Sequence, residues 1–77
     1  MELHIFIFGQ LTDLTGSSAL TLPPVKDTNE LVQLMNNKFP LLVNARYLLA
    51  VNKQVVHDNT LLSPGSTIAF LPPFSGG

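Results

Sequence analysis

The first residues alternate. Over Glu2-Leu3-His4-Ile5-Phe6-Ile7-Phe8, an extended chain puts Leu3, Ile5 and Ile7 on one side and His4, Phe6 and Phe8 on the other. This predicts a strand over 2–9. Gly9 permits a bend, and Leu11 and Leu14 suit a short helical turn before Gly16. Residues 18–22 alternate again, with Leu20 and Leu22 inward, and Pro23-Pro24 closes the run. The two runs are expected to form an antiparallel ribbon with a long connection.

The period then changes. Asp27 or Thr28 can cap a helix over 28–39, with Glu30 three residues after Asp27 in capping-box spacing. Leu31, Leu34, Met35 and Phe39 form one apolar stripe, read as core, and Pro40 ends it. Residues 41–46 fit a short turn or an extended stretch. Strands follow at 47–52 and 54–57 around an Asn52-Lys53 turn, and a last one at 67–71 after the turn residues Ser63-Pro64-Gly65-Ser66. Leu61 and Leu62 are expected to cover an edge of the core. The pattern is an α+β mixed sheet with one main helix on one face.

One helix covers one sheet face, yet the first strand is apolar on both. Phe6 and Phe8, joined by Val55 and Leu71, are therefore expected on an uncovered face that docks a partner, unless a loop covers them. Each such side chain contributes roughly 1.5–3 kcal/mol when buried.

The last strand, with Ile68 and Phe70 on one side and Ala69 and Leu71 on the other, runs straight into Pro72-Pro73-Phe74-Ser75-Gly76-Gly77. The prolines lack a backbone N–H and hold φ near about −65°, so they end the sheet and start a stiff spacer. The six residues reach roughly 20 Å when extended. A terminal Gly-Gly arises by chance in about one chain in two hundred. Its position directly after a core strand, with no linker between, favours a functional tip. The expected organisation is a domain over 1–71 and an extended tail over 72–77.

Composition narrows the chemistry. The chain has 77 residues, net charge −1, no cysteine and only 12% charged residues, about half the usual share. Such a surface is expected to hide part of itself in a partner. Lys26, Lys38, Arg46 and Lys53 are scattered, which argues against nucleic acid as a partner. No stretch is long and apolar enough for a signal segment or a membrane span, so the expected location is cytoplasmic. Without cysteine there is no disulfide, thiolate zinc site or persulfide carrier. His4 and His57 have no carboxylate near them at metal-ligand spacing except Asp58 beside His57, an adjacency that reads as a polar turn, and no Gly-rich loop opens the helix, so no bound cofactor or metal is expected. What remains is the α-carboxylate of Gly77. It is ionised and unreactive at neutral pH and needs activation by another protein, for example as an acyl adenylate. A tip without Cβ atoms suits entry into a narrow channel.

Phe70-Leu71-Pro72-Pro73-Phe74-Ser75-Gly76-Gly77, preceded by Ile68-Ala69, resembles the carboxyl terminus of the small subunit of molybdopterin synthase, a ubiquitin-like sulfur carrier. Residues 6–16 resemble that family's first strand and turn, and Leu49-Ala50-Val51-Asn52 its middle strand. The resemblance implies a β-grasp fold with the first and last strands parallel. It implies that an adenylylating partner uses ATP on the Gly77 carboxylate, that a sulfur-donating enzyme converts it to a thiocarboxylate, and that the large synthase subunit receives the tail. There the sulfur passes to a cyclic pyranopterin precursor in molybdenum cofactor biosynthesis. Gly77 would carry the sulfur and Gly76 would let it enter, with Phe6, Phe8, Val55, Leu71 and Phe74 at the partner interface. On this reading the chain is no enzyme alone. Thr12 stands where the family often has Arg, and Pro64, Ser66 and Thr67 where it often has acidic residues associated with docking on the adenylylating enzyme. The alternatives are a sulfur carrier of thiazole biosynthesis, against which the Pro-Pro-Phe spacer argues, a ubiquitin-like modifier joined through Gly77, and an interaction domain without carboxyl chemistry.

Overall fold

In the computed structural model, which describes residues 2–73, a five-stranded mixed sheet curls around one main helix. The strands are β1 (Leu3–Ile7), β2 (Ala19–Leu22), β3 (Leu48–Val51), β4 (Gln54–Val56) and β5 (Thr67–Leu71), ordered β2-β1-β5-β3-β4. Only β1 and β5, at the centre, pair in parallel; the other pairings are antiparallel. The strands expected at 2–9, 47–52 and 54–57 are shorter than the alternation suggested. Phe8 keeps extended backbone angles, and its N–H donates to the Phe70 carbonyl at 3.0 Å, but no further ladder follows. Gly9 then turns with φ +60° into a 3₁₀ turn (Gly9–Leu11) and a one-turn helix α1 (Thr12–Thr15).

The main helix α2 (Thr28–Lys38) covers one sheet face with Leu31 and Met35, both fully buried. They meet Leu3, Ile5, Ile7, Leu22, Val51, Ile68 and Phe70 in a single core. Tyr47 packs its ring on Phe70, 4.9 Å between centroids, and that burial raises its pKa. Asp27 is the N-cap: its Oδ1 accepts the Glu30 N–H at 2.9 Å. The reciprocal half of the expected capping box is displaced by one residue, because the Glu30 carboxylate accepts from the Lys26 N–H at 3.4 Å. Residues 41–43 are a turn, part of a 3₁₀ segment (Pro40–Asn44) that buries Leu42.

The expectation for Leu61 and Leu62 is half corrected. Leu62 packs against the core, but Leu61 is 79% exposed. The segment is fixed through its backbone instead. Leu62 N–H donates to the Lys26 carbonyl, and Asp27 bridges Leu61, leaving the Leu61 side chain in solvent.

Candidate functional site: an open apolar sheet face beside the tail

Strand register decides which residues share the face that α2 leaves open. Phe6 stands opposite Ala19 on β2 and beside Ala69 on β5; Ala69 stands opposite Ala50 on β3, and Ala50 opposite Val55 on β4. One row across all five strands is therefore apolar: Ala19, Phe6, Ala69, Ala50, Val55. At about 4.8 Å between strands it spans roughly 19 Å. One step towards the end of β5, Leu71 pairs with Leu48, and Phe8 continues β1 beside them. One step the other way the row turns polar, with Thr21, His4 and Thr67 in register.

This gradient places the apolar rows at the end of the sheet from which Pro72 departs. Phe6 is 40% exposed, Phe8 48% and Val55 46%, values that large apolar side chains reach only when nothing covers them. Leu71 is half-buried. Phe6, Phe8, Ala50, Thr67, Ala69 and Lys53 enclose a shallow hollow of about 330 Å³. The alanines form its floor, since Ala50 is buried although it faces the open side.

Two residues in the corner of Asn52 and Lys53 adopt positive φ, 49° and 75°, which closes the two-residue turn between β3 and β4 and puts Lys53 at the rim. The Asn52 side chain accepts the Thr67 N–H at 3.0 Å, while its own N–H donates to the Thr67 carbonyl at 2.8 Å.

Of the residues expected at the partner interface, Phe6, Phe8, Val55 and Leu71 come together on this one face. Phe74, Gly76 and Gly77 lie outside the described residues. Alternation already put Ala69 on the side of Leu71, but the contribution of Ala50, and the meeting of Ala50, Ala69 and Thr67 in one hollow, become visible only when register is known. The departure point of the tail is itself built. Pro72 and Pro73 line, with Leu11, Leu14, Ala45 and Arg46, a second hollow of about 410 Å³. Among the described residues, no three His, Asp or Glu side chains come together in a way that could hold a metal.

A mixed sheet of this order folded around one main helix defines the ubiquitin-like β-grasp class. It is shared with SAMP1 of Haloferax volcanii (17% identity, both chains fully covered, TM-score 0.82). It is shared also with a putative molybdopterin converting factor subunit 1 of Pyrococcus furiosus (16% identity, 95% of this chain and 98% of that one, TM-score 0.84). The complex of subunits 1 and 2 of the molybdopterin-converting factor of Helicobacter pylori contains a chain 25% identical over the full length of both, with TM-score 0.74. Residues 5–77 match the ThiS family, and the chain belongs to that family of ubiquitin-like sulfur-carrier folds.

Proposed function

We propose that this chain is the sulfur-carrying small subunit of a molybdopterin synthase, a domain over 1–71 presenting a reactive tail over 72–77. The observation that carries the reading is the continuity of the open apolar rows with the root of the tail. A partner that buries Phe6, Phe8, Val55 and Leu71 automatically receives whatever the tail brings. The subunit 1 and 2 complex named for the Helicobacter pylori relative supports a large-subunit partner of this kind.

In this mechanism the Gly77 carboxylate attacks ATP held by an adenylylating partner, forming an acyl adenylate and releasing pyrophosphate. Sulfide-level sulfur supplied by a sulfur-donating enzyme then displaces AMP, leaving a thiocarboxylate. Inside the large subunit the thiocarboxylate sulfur attacks a cyclic pyranopterin precursor and displaces an oxygen substituent, and water then cleaves the thioester, leaving the sulfur on the precursor and returning Gly77 to carboxylate. Gly76 and Gly77, without Cβ atoms, keep the tip narrow. The reactions run in the cytoplasm, and the domain contributes docking, reach and orientation, with no chemistry of its own.

A second reading, attachment to lysines as a protein modifier, is favoured by one finding, the likeness to SAMP1. Intact-mass measurement separates the two. After incubation with the activating enzyme, ATP and a sulfur source, one carboxylate oxygen of Gly77 is expected to be replaced by sulfur. Precursor and large subunit should return it to carboxylate. Conjugates of higher mass without any thiocarboxylate would favour the modifier.

A further inference from the structure

Pro72 leaves the sheet against the backbone of Gly9. A Cβ placed on Gly9 would lie 2.6 Å from Pro72 Cγ, 3.6 Å from Cδ and 3.7 Å from Cβ. Gly16 makes the contrast: its φ is also positive, at 74°, but an added Cβ there would meet nothing within 4 Å. Gly16 answers a backbone need alone, whereas Gly9 answers a backbone need and a close approach to the first residue of the tail. The two strands beneath the contact are locked together, since Phe8 N–H donates to the Phe70 carbonyl at 3.0 Å.

We propose that Gly9 is a positioning residue that sets the direction in which the tail leaves the domain, by letting the ring of Pro72 seat on the β1 corner. This rests on the reading of the tail as the segment that carries sulfur. A carbon–carbon contact needs about 3.5–4 Å, so a methyl at residue 9 would drive Pro72 outward by roughly 1 Å. Pro72 and Pro73 each hold φ near about −65°, so the displacement passes stiffly along the Pro-Pro pair. The apolar face is untouched, so the domain docks where it did while the tail starts from the wrong place.

The test is a double-mutant cycle on the full chain with its large subunit and activating enzyme. Gly9→Ala is expected to bind the large subunit with unchanged Kd but to transfer sulfur in a single saturated turnover about tenfold to a hundredfold more slowly. Pro72→Ala removes Cγ and Cδ and leaves only the ordinary 3.7 Å contact, so adding Gly9→Ala to it should slow transfer no further. The strain of a non-glycine residue at positive φ lowers the melting temperature in both backgrounds and separates that structural cost from the positional one. Equal losses of transfer rate in both backgrounds would overturn the proposal. Two readouts stand apart from sulfur chemistry. In the unmodified protein, a nuclear Overhauser effect should join the Gly9 α-protons to the Pro72 ring, and its absence would overturn the proposal even if Gly9→Ala failed to fold. Because the sequence has no cysteine, nitroxides at Asn44→Cys and Ser75→Cys give a clean distance distribution, expected to shift in Gly9→Ala. An unchanged distribution overturns the positioning role. A shift in a protein that never accepts sulfur upholds the positioning role and removes the sulfur-carrier reading instead.

Discussion

Truncating Ile5 and truncating Phe6 should have opposite consequences, because β1 turns one into the core and the other into solvent. Ile5 is fully buried, so Ile5→Ala should cost about 2–5 kcal/mol, read from the denaturation midpoint. Phe6 is 40% exposed, and Phe6→Ala should change stability far less while weakening large-subunit binding. A charge makes the contrast sharper. Phe8→Asp is expected to leave the circular dichroism spectrum and cooperative melting intact and to abolish stable association, since the carboxylate would be desolvated against an apolar surface. Leu71→Asp should behave alike. If either variant unfolds instead, its side chain belongs to the core and the assignment of faces fails. At this scale the sequence carries most of the information: alternation alone separates Ile5 from Phe6. It misleads at Leu61, where an apolar side chain stays exposed because its backbone, and not its side chain, is what the fold uses.

The elements are held to one another by a small polar cluster at the start of α2. Asp27 caps the helix, and its Oδ2 accepts from the Asn59 side-chain amide at 3.2 Å. Asn59 Oδ1 accepts the Asn29 N–H at 2.9 Å, and Thr28 and Thr60 exchange bonds through N–H, carbonyl and hydroxyl. The loop before β5 is thereby fastened to the helix. The Glu30 N–H and then the Asn59 amide hold the Asp27 carboxyl below its ordinary value near 3.8. A carboxyl depressed by folding contributes its stability above the unfolded value and loses it as pH falls towards the folded one. Melting temperature should therefore drop as pH falls below about 4, and Asp27→Asn should flatten that part of the curve relative to the parent. An unaltered slope would show that other carboxylates govern it. The helix cap and the turn at Asn52-Lys53 could be read from residue types, because their chemistry is local. The parallel neighbourhood of β1 and β5 could not, since alternation gives the faces of a strand but not its partner; it came from family resemblance. The alternation also overextends strand ends: Phe8 and Tyr47 fit it, but Gly9 turns the chain away after Phe8, and Tyr47 would face Pro72, which has no N–H for the ladder.

For the whole molecule, the proposed function makes docking and delivery separate tasks joined by a fixed length. On the proposed function, the open face would set where the domain sits on the large subunit, and the spacer beginning at Pro72 would set how far from that point the last carbonyl carbon arrives. A chain residue spans about 3.3 Å when extended, and a misplacement of about 1 Å can cost roughly a hundredfold in rate. Deleting Gly77 or adding one residue after it should therefore eliminate synthase activity, with melting temperature and large-subunit Kd nearly unchanged. Gly76→Val should slow the activating step, the receiving step or both, because a branched side chain would widen a tip that the proposed mechanism needs narrow. The two kinds of change are told apart by mass spectrometry of the intact chain. A length variant that is loaded with sulfur but not discharged has the wrong reach for the large subunit, whereas one that is never loaded fails at the adenylylating enzyme. If the chain extended by one residue supports normal product formation, the carboxyl tip is not the carrier. The apolar face would then serve an interaction in which the tail takes no part.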